Sequence, residues 1–145
     1  FEIDKTTKNE IEHQFCDILE NQNRVSIHVR RGDFLNYPNL KNLLDKTDYY
    51  QRAIKQCSND NVFIITSDDI EYCKKKFNGD KFIFMENTTP LQDLYIQTYC
   101  RTNILANSTF SYWGSFLNKS KNQIIIKPSY CDYKIIKDGV KFITI

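Results

Sequence analysis

The heptapeptide Ile27-His28-Val29-Arg30-Arg31-Gly32-Asp33 leaves an apolar run carrying a histidine, two arginines, a glycine and an aspartate. A guanidinium group presents a planar fork of donors that matches phosphate or carboxylate oxygens two at a time, and it stays charged at any physiological pH. Gly32 lets backbone approach a bound group closely, and Asp33 is placed to hold a guanidinium still. Together these residues read as an anion clamp. They would also make a salt-bridged surface turn, and Arg31-Gly32-Asp33 is the tripeptide of integrin ligands, so the local pattern leaves ligand and structure both open.

Further residues could share this chemistry. Asn107-Ser108-Thr109-Phe110-Ser111 opens a helical stretch, where unpaired N–H groups and the positive end of the dipole either take a hydroxyl cap or cradle a phosphate. One cap needs one serine, and the run offers more. Ser67-Asp68-Asp69 follows an apolar segment, where the run caps a helix or a carboxylate of it orients the clamp or meets a ribose hydroxyl. Asp93 lies outside the stripe of Leu91, Leu94, Tyr95 and Tyr99, which reads as a solvated position.

These residues must be held by regular elements, and the hydrophobic periodicity supplies them. Ile11, Phe15, Ile18 and Leu19 sit at helical spacing within a stretch from about 5 to 21. A strand from Arg24 to Arg30 follows, then a loop through Tyr37-Pro38-Asn39, then a helix from Asp48 to Cys57 capped by Thr47. NVFIITS (61–67) is a strand, and IEYCKKKF a helix with Asp68 and Glu71 spaced as a capping pair. KFIFM (81–85) is a short strand. Thr89 as N-cap, Pro90 at the first helical position and Gln92 completing a capping box start another helix. NILAN (103–107), the helix STFSYWGSFL and QIIIK (123–127) complete the series.

Short apolar strands alternating with helices predict an α/β, Rossmann-like open parallel sheet with helices on both faces, as one domain over residues 1–145. Such sheets bind ligands beyond the carboxyl ends of their strands. Because side chains alternate along a strand, Ile27 and Val29 face one side while Ser26, His28 and Arg30 face the other, so His28 and Arg30 emerge together at the strand end.

Composition narrows the partners. The 145 residues are 41% hydrophobic with Gly 4 and Pro 3, enough for one packed core. Lys+Arg 20 against Asp+Glu 18 gives a net charge of +2, too balanced for a nucleic-acid binder, so a basic site has to be local. Cys16, Cys57, Cys73, Cys100 and Cys131 show no metal-ligand spacing and are an odd count, which predicts free thiols in a reducing compartment. No apolar run reaches the roughly 20 residues of a membrane span, and no signal peptide opens the chain, which starts without Met as a piece of a longer protein would. Asn87-Thr88-Thr89, Asn107-Ser108-Thr109 and Asn118-Lys119-Ser120 match the glycosylation sequon, a frequent pattern in an Asn-rich chain. His13 reads as a surface residue, and Trp113 with Phe116 and Leu117 as core.

HVRRGD, the SDD strand end and DLYIQTYCRTNILANSTFSYWGSFLN, in that order, resemble the α-1,2-fucosyltransferases of glycosyltransferase family 11 over roughly residues 24–127. Ile96 stands where the family usually has Met, Tyr112 replaces the first Trp of a WW pair, and the chain has about half a typical member's length. The resemblance implies the C-terminal, donor-binding half of a GT-B glycosyltransferase. Its reaction would be inverting transfer of L-fucose from GDP-fucose to the 2-hydroxyl of a terminal galactose of a glycan acceptor. It implies Arg30 on the β-phosphate and Asp33 orienting the arginines as the catalytic pair. His28, Arg31, Asp68, Asp93, Asn107, Ser108, Thr109 and Ser111 would join Arg30 in binding GDP-fucose, with Asp93 near the guanosine.

No Asp-x-Asp occurs, and arginines with a helix N-terminus can replace a bridging cation, so no metal and no cofactor is expected. A missing N-terminal acceptor domain is implied. The acceptor hydroxyl would be activated from that half or across the cleft, with no residue here assigned as general base, and nucleic acid is not a partner. The enzyme would be cytoplasmic or membrane-associated in a bacterium or virus and Golgi-resident in an animal. Two other readings stand beside it: a nucleotide-sugar-binding module without transferase activity, and a structural Rossmann-like domain whose basic turn binds a protein.

Overall fold

A computed structural model describes residues 3–36, 43–132 and 139–145. Its elements run α1 (Lys5–Gln14), α2 (Cys16–Glu20), β1 (Arg24–Val29), a 3-10 turn (Asp33–Asn36), α3 (Leu43–Lys46), α4 (Tyr49–Ile54) and β2 (Val62–Ser67). They continue with α5 (Ile70–Lys76), β3 (Phe82–Phe84), α6 (Pro90–Tyr99), β4 (Thr102–Ile104), α7 (Thr109–Phe116), β5 (Ile124–Lys127) and β6 (Lys141–Thr144). The loop expected through Tyr37-Pro38-Asn39 lies outside the described residues.

All six strands are parallel, in the order β3-β2-β1-β4-β5-β6. This is the doubly wound order, in which the chain moves outward from β1 in one direction and then returns to its other side. Helices cover both faces, as expected. Val25, Ile27 and Val29 pack with Tyr49, Tyr50 and Ala53 of α4 and with Cys73 of α5 and Phe77. On the opposite face, Ile64 packs with Ile11 of α1, Phe15, and Tyr95 and Ile96 of α6. β6 has no counterpart in the sequence expectation. It is an edge strand with Phe142 38% exposed, so the burial contrast that marks inner strands is absent.

Local signals fixed most helix starts. Thr89, Pro90 and Gln92 form the complete capping box at α6. The helix expected over 5–21 breaks at Phe15, which leaves helical geometry (φ −117°, ψ 23°) with its ring buried beside Met85 and Ile96. The helix expected from Asp48 to Cys57 is shorter, and the Thr47 hydroxyl accepts from the Tyr49 amide at 3.2 Å. At α5 the cap is Asp69, whose carboxylate accepts from the Tyr72 amide, so Asp68 is displaced from the capping role expected of it. Asp93 is also not on a solvated face: it is partly buried, whereas Leu91 is exposed. Trp113 and Phe116 are 50% and 42% exposed, so they are surface aromatics rather than core.

The inward face of α7 carries Ser111, Gly114 and Ser115, and the layer between it and the sheet is polar. Asn103 of β4 donates to Ser26 Oγ at 2.7 Å and to the Gln97 carbonyl at 2.8 Å, while Gln97 donates to Thr66 Oγ1 at 3.2 Å. The Asn118 amide reaches the Cys100 carbonyl at 2.6 Å, and Gln123 donates to Asn103 Oδ1 and the Ser115 carbonyl at 2.9 Å each. Directional bonds of this kind fix the rotation of α6 and α7 about their axes, which apolar contact alone specifies loosely. All five cysteines are unbridged, Cys16 being exposed.

Gly114 makes this close approach possible. A Cβ there would stand 2.5 Å from Gln97 Oε1 and 3.0 Å from Gln97 Cβ, and Gln97 is pinned by its bond to Thr66. Gly114→Ala, which would gain helix propensity at an exposed site, should instead lower stability by about 1–3 kcal/mol, read by denaturant unfolding.

Candidate functional site

The site begins where β1 and β4 part. Arg30 follows the last residue of β1, and its Nε donates to Asp33 Oδ1 at 2.9 Å while its Nη1 lies 3.1 Å from Asp68 Oδ2. The Asp68 carboxylate also accepts from the backbone amides of Arg31 at 2.8 Å and Gly32 at 3.0 Å. One carboxylate at the end of β2 therefore organises the turn after β1. Gly32 serves this contact: a Cβ there would lie 2.8 Å from Asp68 Oδ2. The hydrogen bond to Arg30 holds the Asp33 carboxyl below its ordinary range, and the same bond raises Arg30.

Arg31 is committed elsewhere. Its guanidinium is bonded to Asp45 and Asp69, lies 3.4 Å from the centroid of the Tyr72 ring, and its side chain is 14% exposed. Tyr72 in turn donates to Asp45 Oδ1 at 2.6 Å. Two adjacent arginines thus take different positions. Arg30, with 34% of its side chain exposed, keeps donors turned to solvent, and Arg31 ties the turn to α5 and the α3 segment.

His28 is buried, and its Nδ1 shares a short hydrogen bond with Ser111 Oγ, which also accepts from the Ala106 amide at 3.0 Å. The Phe110 ring lies 5.0 Å from the imidazole. Ser111 is 0% exposed, so it stands behind the site rather than in it, and a serine and histidine within bonding distance are here no nucleophilic pair. Burial, aided by Arg30, pushes the His28 pKa down to about 3, which keeps the ring neutral. This bond joins the end of β1 to the first turn of α7 and so brings the clamp beside that helix terminus. Ser108 is the N-cap there, accepting from the Phe110 amide at 3.3 Å. Asn107, Ser108 and the exposed Thr109 edge the opening.

Asp93 belongs to the same edge. It precedes Gln97 by one helical turn, and Gln97 bonds Thr66, the residue paired with His28 across β1 and β2. Helices of such folds run antiparallel to the strands, so Asp93 stands one turn further toward the strands' carboxyl ends. Its carboxylate accepts from Thr88 Oγ1 at 2.6 Å, and burial raises its pKa to about 6. Among the described residues Asp93 has no ion-pair partner, and a partly buried carboxylate with a raised pKa marks a candidate binding residue. Among the described residues no group of three or more His, Cys, Asp or Glu side chains is placed to hold a metal.

The clamp and the first turn of α7, joined through the bond between His28 and Ser111, lie at the point where the strand order reverses, and Asp93 stands on the helix that Gln97 ties to Thr66 of the adjoining strand. Sequence reasoning missed Asp45, Tyr72 and Thr88 as partners of the site, whereas Asp69 lies in the run Ser67-Asp68-Asp69 that it singled out. Thr88 adjoins the cap residue Thr89, and Asp45 and Tyr72 carry no signal beyond their own polarity.

An open doubly wound parallel sheet with a cationic turn and a helix N-terminus at its switch point defines the class of Rossmann-like α/β domains. Within it, the chain belongs to glycosyl transferase family 11, whose family model matches residues 2–142. It is similar to an alpha-1,2-colitosyltransferase of Escherichia coli, 36% identical over 126 residues, which cover 80% of this chain and 43% of that protein. The O-antigen biosynthesis glycosyltransferase WbnK of Escherichia coli is 32% identical over 120 residues, 77% of this chain and 40% of its own. Human galactoside alpha-(1,2)-fucosyltransferase 1 is 29% identical over 107 residues, 64% of this chain and 28% of its own. The chain therefore spans about two fifths of the length of these bacterial relatives. The fold recurs in the fucosyltransferase NodZ from Bradyrhizobium, with TM-score 0.55 and 15% identity over 79% of this chain and 42% of that one.

His28 and Asp93 give stability opposite dependences on pH. The folded pKa of His28 lies below its ordinary 6.5, so its contribution is complete above that pH and is lost as pH falls toward 3. The folded pKa of Asp93 lies above its ordinary 3.8, so its contribution is complete below that pH and is lost as pH rises through 6. In Asp93→Asn the gain over the parent should therefore grow between about pH 4 and 6 and level at about 1–2 kcal/mol, allowing for solvent screening, in unfolding curves across pH.

Proposed function

We propose that this chain is the donor-binding half of a galactoside α-1,2-fucosyltransferase, and that the whole protein transfers L-fucose from GDP-fucose to the 2-hydroxyl of a terminal galactose with inversion at the anomeric carbon. The observation that carries this reading is Arg30, fixed by Asp33 and Asp68 at the switch point yet open to solvent beside the first turn of α7. As the bond from the anomeric carbon to the β-phosphate oxygen breaks, the departing GDP gains negative charge. A preorganised cation and backbone N–H groups aimed at that charge stabilise the transition state more than the bound donor. In this reading Arg30 and the amides around Ser108 and Thr109 take the role that a bridging metal plays in other sugar transferases, and no resident metal or cofactor takes part.

Asp33 and Asp68 hold Arg30 in place, and Arg31 braces the turn from below. Asp93 takes the guanine edge, whose adjacent ring and amino N–H donors fit a carboxylate, while His28 and Phe110 wall the pocket. The proton of the acceptor hydroxyl goes to a base outside this chain. Family membership supports the reaction class, and the names of two relatives carry the α-1,2 linkage. The solved NodZ alpha-1,6-fucosyltransferase soaked with GDP-fucose has the same fold over 81% of this chain. Relatives are named for both fucose and colitose. A nucleotide-sugar-binding module without transfer is the alternative.

Titration calorimetry of the full-length protein with GDP, GDP-fucose, ADP and UDP, without divalent metal, tests the site. Guanine nucleotides should bind selectively, and Arg30→Ala should weaken GDP by roughly 10- to 100-fold, the loss of charge-assisted bonds to phosphate. Equal affinity in Arg30→Ala would remove the clamp reading. Donor binding without fucose transfer to a galactoside would favour the module. Asp93→Asn should narrow the preference for GDP over ADP in the same titrations.

A further inference from the structure

The pairing of β1 with β4 runs Val25 to Thr102, Ser26 to Asn103 and Ile27 to Ile104, and goes no further. β1 stays with β2 through His28 and Val29, while the Leu105 amide donates to the Ile126 carbonyl of β5 at 2.9 Å. The seam between β1 and β4 therefore opens after Ile27 and Ile104: the next residue of β1, His28, turns its carbonyl to the opened side, while Leu105, next after β4, stays with β5 and ends that ladder. Two adjacent tyrosines of α4 answer the carbonyls of both residues. The Tyr50 hydroxyl donates to the His28 carbonyl at 2.9 Å, and the Tyr49 hydroxyl lies 2.8 Å from the Leu105 carbonyl and 3.0 Å from that of Ile126. Both side chains are buried, their rings meet edge to face at 5.0 Å, and Phe77 stands 5.9 Å from Tyr50.

The geometry points to Tyr49 and Tyr50 as positioning residues that set the width of the nucleotide crevice. Tyr50 grips β1 two residues before Arg30, and Tyr49 grips β4 two residues before Asn107, so one rigid ring pair spaces the clamp from the first turn of α7. An aromatic ring is a strut of fixed length, and its packed neighbours leave it one orientation. A buried carbonyl at a strand end requires a donor, and a donor from a helix ties the strand end to that helix. Water could satisfy either carbonyl singly. It would not hold the two at a set distance.

The inference rests on the crevice being the nucleotide site, and the test separates the two. In the full-length protein, Tyr49→Phe, Tyr50→Phe and the double variant are titrated with GDP well below their melting temperatures. Tyr95→Phe serves as control, since its hydroxyl donates to Glu12 of α1 at 2.9 Å, away from the strand ends. Each strut variant should weaken GDP by about fivefold or more, with the double variant losing less than the product because both act on one spacing. Tyr95→Phe should bind as the parent even where its melting temperature falls equally.

Parent-like affinity in both strut variants, or equal weakening in Tyr95→Phe, would overturn the assignment. If the parent bound no nucleotide, the site reading itself would fail. Amide hydrogen exchange would then decide the tie alone, with faster exchange confined to 30–32 in Tyr50→Phe and to 106–108 in Tyr49→Phe supporting it and unchanged exchange refuting it.

Discussion

The turn after β1 is built around one carboxylate. Asp68, at the end of the neighbouring strand, takes the amides of Arg31 and Gly32 and one arm of Arg30 at once. Consecutive backbone amides drawn to one anion fix the direction in which the chain leaves the strand, and that direction decides which arginine meets the crevice and which turns away. The rest of the site follows from this exit. Arg31 falls into its carboxylate and tyrosine cage, Asp33 comes within reach of Arg30, and the space beside α7 stays open. A glycine at 32 is the steric condition for all of it.

Charges here are spent on geometry more than on stability. Exposed ion pairs contribute little, and burying His28 and Asp93 away from a full set of partners opposes folding over part of the pH range. The polar layer under α7 has a similar character, since directional bonds select one arrangement of helices without adding much apolar burial. The apolar clusters on the two faces of the sheet supply the driving force. The strand ends and first helical turns, where the sheet has no ladder left to form, are free to be chemical.

Legibility in the sequence tracks the range of the interactions. Inner strands such as VFIITS and capping boxes such as Thr89 to Gln92 are local, and their places were readable. The edge strand KFIT was not, because only Ile143 packs toward the core while Lys141, Phe142 and Thr144 are exposed. Trp113 and Phe116 look like core by residue type, yet α7 turns Ser111, Gly114 and Ser115 inward to meet a polar layer, which no window of residues reveals. Arg30 and Arg31 are equivalent on paper. Their separation depends on Asp45, Asp68 and Asp69, which reach them only across the fold. Asp68 was named for the right place, but its choice of backbone amides over the start of α5 is tertiary.

Asn118 carries a consequence for how this chain is made. It opens an Asn-Lys-Ser sequon, yet it is 1% exposed, with its amide bonded to the Cys100 carbonyl beneath α7. An oligosaccharide attached there during synthesis could not be enclosed, and the amide that locks the polar layer would be lost to it. A host whose secretory machinery modifies such triplets would set sugar transfer against burial in each new chain. The speed with which Asn118 disappears into the fold would then govern the yield of native protein.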